Sequence, residues 1–272
     1  MTIEIPLLLE PEQLRVLLEE KHLVVIDLCK ETTYSQLHIP GALHLAYSRI
    51  VASNHPVHGL LPDSKLLSQT LSEHGIGNHS HVVAYDDEGG GNASRLLWTL
   101  EAMGHRRYSL LNGGLHAWAN EGHACSREFT SPARANFTAT PNPHAIASAE
   151  YIAEQLGEPD FALWDARSWN EYAGISRFSR YPGHIPGAVN LDWLEVMDRD
   201  RNLRLKADEA LTAQLSRLGL APDKEIVTYC QTHHRSSLAW FVLRYLGYQR
   251  CRGYPGSWSE WGNSDDTPKA MP

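Results

Sequence analysis

The two halves of this chain repeat each other. The pentapeptide HIPGA occurs at residues 38–42 and again at 184–188. Further pairs of similar segments surround it in the same order: VVIDLC with ALWDAR, VVAYDDEGGGNASRLLW with IVTYCQTHHRSSLAW, and LNGGLHAWANEG with CRGYPGSWSEWG. Matched landmarks in one order indicate a duplicated domain. The chain is therefore predicted to fold as two copies of one structure.

The stretch between the copies has a different composition. Residues 126–145, SREFTSPARANFTATPNPHA, are rich in Ser, Thr, Pro and Asn and have no apolar periodicity. Such a composition is typical of a linker. We therefore predict an N-terminal domain over residues 1–125, a linker over 126–145 and a C-terminal domain over 146–272.

Each copy alternates strand-like and helix-like segments. The runs LVVID, HVVAY, ALWDA and EIVTY are short, apolar and rich in β-branched or aromatic residues, as expected of strands buried on both faces. Residues 207–219, ADEALTAQLSRLG, place leucines at helical spacing and end in a glycine that suits a helix C-terminus. This alternation predicts an α/β fold in which each domain is a small parallel sheet flanked by helices.

Composition limits the classes of partner. The chain has 272 residues, a formal net charge of −8, and a mean hydropathy of −0.36. Nothing in this balance suggests a nucleic acid or a membrane as partner. The start, MTIEIPLLLEPEQL, lacks the basic region and long apolar core of an export signal, and no segment reaches the roughly 18 apolar residues of a membrane span. A cytoplasmic location is therefore expected, and an anionic substrate would need a local positive field.

The four cysteines stand apart from one another. Cys29, Cys125, Cys230 and Cys251 include no C-x-x-C pair, so neither a disulfide framework nor a zinc ribbon is predicted. Cys230 differs from the others because it directly follows a predicted strand and precedes a predicted helix. Ligand sites of parallel α/β domains lie at such strand ends. The other three cysteines are predicted to be structural or incidental.

The segment after Cys230 suits a reactive thiol. The loop has the form C-x4-R, and the helix that follows is predicted to begin near Arg235. The helix N-terminus and the permanent charge of Arg235 are expected to lower the thiol pKa and favour the thiolate. A cysteine that merely packs at the end of a strand is the alternative reading. The predicted substrate-binding residues of this site are Gln231, Thr232, His233, His234 and Arg235.

Other polar and aromatic residues receive less specific predictions. The adjacent histidines His233 and His234 are expected to be hydrogen-bond donors at the loop rim, because neighbours in a tight loop rarely bind one metal together. Asp165 and Arg167 are predicted to form a local charge pair, with surface solubility as the alternative. Trp193 is predicted to flank the substrate, with a packing role as the alternative.

The first copy lacks the thiol. Asp86 occupies the position that matches Cys230, and Asp87, Glu88 and three glycines follow it. A carboxylate cannot take the part of a reactive thiol, and three acids would repel an anionic substrate. Because the segment from Asp86 to Trp98 is two residues longer than its counterpart, a cradle for an anion is expected to be lost. The N-terminal copy is therefore predicted to be catalytically silent, and a glycine-rich phosphate loop is the disfavoured alternative.

These features together resemble the rhodanese family of sulfurtransferases in its tandem-domain form. The resemblance rests on the strand followed by CQTHHR, on DAR, on GHIPGA and on GYPGSW, and it covers essentially the whole chain. It implies that Cys230 accepts a sulfane sulfur as a persulfide and passes it on without a cofactor. It also implies a small anionic donor such as thiosulfate, and cyanide, a thiol or a protein cysteine as acceptor.

The chain departs from the well-known members of that family at the loop. Those members have C-R-K-G-V-T, whereas this chain has Gln231 and Thr232 after the cysteine. They also carry an arginine where this chain has Glu171, just before Tyr172. Cationic substrate contacts at those positions are therefore absent, which leaves the physiological donor open.

Two other functions are compatible with parts of this pattern. A cysteine-dependent phosphatase uses a related C-x5-R loop, but the loop here is one residue shorter, and we expect its ring of amides to be too small for phosphate. A tandem interaction module without catalysis is the other alternative, since one copy already lacks the cysteine. The oligomeric state is not predicted by any of these features.

Overall fold

Short apolar runs form the strands, as the sequence predicts. The computed structural model describes residues 5–272, and the predicted absence of an export signal depends in part on residues 1–4, which lie outside them. The strands β1 to β13 are Leu8–Leu9, Leu23–Asp27, Leu43–His44, Ala52–Asn54, Val57–Leu60, His81–Tyr85, Tyr108–Leu111, Phe161–Asp165, Val189–Asn190, Met197–Asp198, Arg204–Leu205, Glu225–Tyr229 and Cys251–Gly253.

Helices separate most of the strands. The helices α1 to α10 are Pro11–Leu17, Glu31–Gln36, Ser64–Glu73, Gly91–Ala102, Gly114–Asn120, Ala149–Gln155, Trp169–Tyr172, Asp208–Arg217, Arg235–Tyr245 and Ser257–Trp261. Short 3₁₀ turns cover Tyr47–Arg49, Pro143–Ala145, Trp193–Val196 and Arg199–Arg201. The predicted helix at 207–219 is confirmed as α8, and Gly219 ends it with a φ of +71°, a conformation in which glycine carries no Cβ penalty.

The described residues divide into two compact units. The first unit contains residues up to Ile50, then Pro62–Pro141 and Asp198–Leu205. The second unit contains Val51–Leu61, Asn142–Met197 and Lys206–Pro272. Each unit therefore includes a short segment that lies, in sequence, within the other copy of the repeat.

The first unit contains a five-stranded sheet in the order β1-β7-β6-β2-β3. All four strand pairs are parallel, and the longest register runs from Leu23 opposite His81 to Asp27 opposite Tyr85. Its core includes Leu9, Val83 and Trp118, all buried. The carboxyl ends of β2 and β6 therefore lie side by side.

The second unit repeats this sheet in the order β13-β12-β8-β9, again with parallel pairs. An isolated parallel bridge from Ile146 to Gly253 extends it at the position that β1 takes in the first sheet. Every residue of β12 is buried, as a central strand requires. The predicted α/β fold with two parallel sheets flanked by helices is confirmed.

An antiparallel hairpin of β4 and β5 belongs to the second unit. The main chain of His58 is held at both ends by Ser259, whose hydroxyl accepts from the His58 N–H at 3.0 Å and donates to its carbonyl at 2.9 Å. The hairpin is thereby fixed to α10. Within residues 5–272, no helix is both long and apolar enough to cross a membrane.

Candidate active site in the second unit

Cys230 lies at the carboxyl end of the central strand of the second sheet. It follows β12 directly, with β8 and β13 on either side, and five residues later α9 begins at Arg235 as predicted. The residue is fully buried. Its carbonyl accepts the N–H of Trp258 at 2.9 Å, which ties the start of the loop to α10.

Ser257 holds the two ends of the Cys230–His233 segment together through its side chain. Its hydroxyl accepts the N–H of Cys230 at 3.3 Å and the N–H of His233 at 3.0 Å, and it donates to the carbonyl of Tyr254 at 2.8 Å. Ser257 has a φ of +50°, a conformation that L-residues other than glycine adopt at a cost. The Ser257 hydroxyl joins both ends of the Cys230–His233 segment, and this contact gives a reason for a serine with an unfavourable φ at this position. The sequence analysis did not assign this role to Ser257.

The surroundings of Cys230 lower its thiol pKa. Burial by itself raises the pKa, but the charge of Arg235 opposes it, together with hydrogen bonds from the Ser236 hydroxyl and from the N–H groups of Ser236 and Thr232. The balance lies below the ordinary cysteine value. The expected depressed pKa therefore agrees with the structure, and the first turn of α9 contributes to it.

Arg235 has a carboxylate partner that the sequence analysis did not identify. Its two terminal nitrogens donate to the two oxygens of Glu171 at 2.7 and 2.8 Å, a bidentate ion pair. Burial raises the pKa of Glu171, but Arg235 and Ser168 outweigh it and hold the pKa below its ordinary value. Glu171 is ionised at neutral pH, so Arg235 is fixed in place and part of its charge is already compensated.

Glu171 is itself positioned by its helix. It is the third residue of the short helix α7 and forms a capping box with Ser168, whose hydroxyl donates to the Glu171 carboxylate at 2.9 Å. The S-W-N-E stretch at residues 168–171 is the sequence signature of that box. Glu171, itself held by the capping box, therefore anchors the loop arginine.

The two histidines of the loop lie in different environments. His233 is buried with a φ of +52°, and its Nδ1 lies 2.8 Å from the Ser236 hydroxyl, so it does not lie at the loop rim as expected. The reason is that Ser257 binds its N–H and draws the residue inward. His234 is half-buried and faces the edge of Trp193, with ring centroids 5.6 Å apart.

Gln231 and Thr232 are half-buried in the middle of the loop. The Gln231 amide donates to the Ser179 hydroxyl at 3.1 Å. Gly59 of the β4–β5 hairpin packs against the other side, where an added Cβ would lie 2.1 Å from the Thr232 carbonyl oxygen. Glycine is therefore required at position 59, because any side chain would displace the loop.

The Asp165–Arg167 pair is buried and bidentate, which excludes the alternative of a surface role. Arg167 donates to both Asp165 oxygens, with the shortest contact at 2.6 Å, and its guanidinium lies 4.6 Å from the Trp258 ring centroid. The nitrogen that makes the shortest contact, Nη2, also donates to the Gly183 carbonyl at 2.8 Å. The pair thus joins the end of β8 to the helix that supports the Cys230 loop.

The other cysteines have no comparable surroundings. Burial raises the thiol pKa of Cys29, and the negative charge of nearby Asp27 raises it further. Burial also raises the thiol pKa of Cys125. Cys251 is buried in β13. Among residues 5–272, no group of three or more histidine, cysteine or acidic side chains is arranged to hold a metal ion.

The matching loop of the first unit keeps its amides and encloses a carboxylate. Asp86 is buried, and its oxygens accept the N–H groups of Glu88 at 3.1 Å, Gly90 at 2.8 Å and Ala93 at 2.9 Å. The expected loss of the cradle is therefore wrong. The helix begins five residues after Asp86, at Gly91, just as α9 begins five residues after Cys230, so the extra length lies within the helix.

The buried carboxylate is not easily ionised. Burial, with a further contribution from Glu88, raises the pKa of Asp86 to about 6 despite the three N–H donors. An internal acidic group thus fills the position that the thiol takes in the second unit.

Comparison with known proteins agrees with this geometry. The rhodanese-like domain family matches residues 10–121 and 148–264. The thiosulfate sulfurtransferases of Azotobacter vinelandii and Pseudomonas aeruginosa are 44% and 43% identical to this chain, each over 97% of both sequences. The sulfur carrier protein TtuD of Thermus thermophilus is 34% identical over 87% of this chain and 86% of its own length.

Solved structures support the same fold. The anaerobic ergothioneine biosynthesis enzyme of Chlorobium limicola superposes with a TM-score of 0.85 at 23% identity, over 97% of this chain and 70% of that one. At this identity the likeness concerns the fold alone. With two matched domains, and relatives that are similar over nearly their full length, the chain belongs to the rhodanese family.

Proposed function

We propose that this rhodanese is a thiosulfate sulfurtransferase whose only catalytic cysteine is Cys230. The observation that carries the proposal is a buried thiol with a lowered pKa at the N-terminus of α9, facing Arg235. Full-length relatives named thiosulfate sulfurtransferase support the donor. The Glu171–Arg235 pair shows that a carboxylate at position 171 does not leave the loop without a cation.

In the first half-reaction the Cys230 thiolate attacks the outer sulfur of thiosulfate. The sulfur–sulfur bond of the donor breaks, sulfite leaves with the electron pair, and Cys230 becomes a persulfide. The N–H groups of Thr232 and Ser236 and the charge of Arg235, which lower the thiol pKa, would also stabilise the terminal persulfide anion.

In the second half-reaction an acceptor removes the outer sulfur. Cyanide or a thiolate attacks it, and the bond to Cys230 breaks with its electron pair returning to the Cys230 sulfur. Gln231, Thr232 and His234 are half-buried residues of the loop itself. The ring of Trp193 packs against the ring of His234. We assign these residues to substrate binding, His233 to support of the loop from inside, and Glu171 and Ser257 to positioning.

We also propose three segments with separate roles and a cytoplasmic location for the protein. The silent N-terminal domain at 1–125, the linker at 126–145 and the catalytic domain at 146–272 follow the repeat. All four cysteines are free thiols, the state that a reducing cytoplasm maintains. No metal or cofactor is needed by either half-reaction.

Intact-mass measurement tests the central step. After incubation with thiosulfate, the wild-type protein should gain the mass of one sulfur atom, and cyanide should remove it. Cys230→Ser should gain none and lose thiosulfate:cyanide transfer, whereas the matched Cys125→Ser variant should keep both. Sulfur loading of Cys230→Ser would place the nucleophile elsewhere, and faster hydrolysis of an aryl phosphate than sulfur transfer by the wild type would favour the phosphatase.

A further inference from the structure

The catalytic copy carries a longer loop than the silent copy at one matched position. Eleven residues separate Tyr172 from His184, whereas three separate Tyr34 from His38. The flanking framework is the same in both units. In each, the tyrosine and histidine rings stack, with centroids 3.7 and 4.0 Å apart, and the histidine Nδ1 lies within 3.0 Å of the tyrosine carbonyl.

The connection of residues 173–183, the 173–183 loop, is thus eight residues longer than its counterpart. Its main chain is anchored to the body of the second unit, because the Ser176 N–H donates to the Asn170 carbonyl and the Tyr181 N–H to the Gly262 carbonyl, each at 2.8 Å. The Ser179 hydroxyl donates to the Trp258 carbonyl at 3.1 Å. The loop is therefore held in one place.

The 173–183 loop reaches the catalytic loop. Gln231, next to Cys230, donates to the Ser179 hydroxyl, and Trp258 binds both the Cys230 carbonyl and Ser179. The loop thus contacts Gln231, the residue next to Cys230.

The side chains of this region leave large apolar groups in solvent. Of the seven large hydrophobic side chains exposed among residues 5–272, four lie here: Trp169 at 56%, Ile175 at 71%, Phe178 at 68% and Met271 at 56%. Met271 packs at Gly174, where an added Cβ would lie 2.7 Å from its terminal carbon, which joins it to the loop. Apolar groups gathered beside a functional site mark an interaction surface.

The charge of the loop indicates which partner would fit. Residues 173–183 contain Arg177 and Arg180 and no acidic residue, although the whole chain has a net charge of −8. Arg180 is ion-paired with Asp265 at 2.8 Å, and Arg177 donates to main-chain carbonyls of the loop. Thiosulfate and cyanide are small anions that have no apolar groups to bury on such a surface. The molecule that binds there is therefore larger than either substrate.

From this surface we infer that the 173–183 loop docks a protein acceptor that presents its cysteine between apolar and acidic side chains. The inference rests on the proposed function and names its acceptor class. The acceptor thiolate attacks the outer sulfur of the Cys230 persulfide, the bond between the two sulfurs breaks, and the acceptor leaves as a persulfide while Cys230 regains its thiolate.

A peptide acceptor tests the docking directly. The probe is a capped pentapeptide whose central cysteine is flanked on each side by a leucine and then an aspartate. Two further peptides replace the leucines by serines or the aspartates by lysines. In the wild type, kcat/KM for sulfur transfer to the first peptide should exceed that for each of the others by about tenfold, as partial burial of two apolar side chains allows.

The double variant Ile175→Ser/Phe178→Ser should lose that preference and keep thiosulfate:cyanide activity within about twofold, because the main-chain anchors remain. Val16→Ser, which removes an apolar side chain 61% exposed in the first unit, is the matched control and should keep the preference. Equal rates with all peptides in the wild type would overturn docking. Equal loss of cyanide and peptide transfer in the double variant would overturn it too, since the loop would then only support the site.

Two readouts separate the remaining outcomes. Binding of the leucine–aspartate peptide with serine in place of cysteine, followed by tryptophan fluorescence, needs no sulfur chemistry. If neither cyanide nor peptide accepts sulfur but this peptide binds the wild type and not the double variant, the proposed function fails and the docking surface stands. A wild-type dimer that the double variant converts to a monomer would make a second copy of the chain the occupant, against the inference.

Discussion

The loops after β6 and β12 have the same frame and different contents. In both, a central strand ends, five residues follow, and a helix begins. In both, the first residue of the loop accepts an N–H from the helix after the next strand, Leu115 to Asp86 and Trp258 to Cys230, each at 2.9 Å. The difference lies in what fills the ring of amides: a carboxylate in one unit, and in the other a thiol assisted by an arginine. We therefore expect that the backbone amides alone do not support sulfur transfer.

The largest effect is expected from exchanging those contents. The double variant Cys230→Asp/Asp86→Cys should have less than about 1% of wild-type sulfur transfer, because a thiol at position 86 would face Glu88 and would have Gly91 where the second unit has Arg235. Steady-state thiosulfate:cyanide assays and intact mass would measure it. Activity restored by Asp86→Cys in the Cys230→Asp background would mean that the amides suffice.

Removal of the cation should have a smaller effect. Arg235→Ala leaves the amides and the helix N-terminus, so the loss should be about tenfold to a hundredfold in kcat/KM for thiosulfate, as expected for one charge-assisted hydrogen bond. Arg235 lowers the thiol pKa, so its removal raises the pKa and moves the acidic limb of the pH profile to higher pH.

The thiolate absorbance of Cys230 against pH measures that shift. The variant Arg235→Lys, which keeps the charge without the bidentate contact to Glu171, is the matched control and should titrate closer to the wild type. An unchanged titration in Arg235→Ala would assign the depressed pKa to the backbone and to Ser236.

Ser257 offers a more subtle test of the same comparison. The first unit has Gly114 at the matching position with a φ of +53°, close to the +50° of Ser257. Ser257→Gly should lower kcat/KM by about threefold to thirtyfold, because two loop N–H groups lose their acceptor, whereas relief of the strained φ should offset part of the loss in stability.

Thermal unfolding and kinetics together distinguish positioning from folding. A melting temperature near that of the wild type, combined with reduced kcat and a raised thiol pKa, would support a positioning role. Full activity in Ser257→Gly would show that the hydroxyl is dispensable. Ser64→Gly, at the half-buried first residue of α3 and outside both loops, is a control for the residue exchange.

The smallest effect concerns stability in the Asp86 loop of the first unit. The pKa of Asp86 is raised to about 6 in the folded protein, so its contribution to stability is fully present below its unfolded value of about 3.8 and is lost as pH rises through about 6. Asp86→Asn should therefore flatten the decline of the melting temperature between pH 4 and 7 and leave sulfur transfer unchanged. Asp87→Asn is the control, and an identical pH dependence in wild type and Asp86→Asn would contradict the shift.

The sequence predicted those features that local chemistry determines. The duplicated α/β fold, the start of α9 at Arg235, the end of α8 at Gly219 and the Asp165–Arg167 pair all follow from residues near one another in the chain. The carboxylate partner of Arg235 did not, because Glu171 lies 64 residues away in the chain and is brought to Arg235 only by the fold.

The role of Ser257 and the burial of His233 were missed for a different reason. Both residues have positive φ, and nothing in the sequence of either residue signals that conformation. The alignment of the two copies gave no clue, because it places Ala117 opposite Ser257, whereas the structure matches Ser257 to Gly114. The retained amides around Asp86 were missed because the extra length was assigned to the loop when it belongs to the helix.

The β4–β5 hairpin, which carries Gly59, limits where the chain can be cut to separate the two copies of the repeat. Residues 51–61 come from the copy without a nucleophile, yet they belong to the unit that contains Cys230, and Gly59 packs against Thr232. A deletion of residues 1–125 would therefore also remove a hairpin that belongs to the second unit and packs against the Cys230 loop. We therefore expect the second copy of the repeat, expressed alone, to lack part of its own fold.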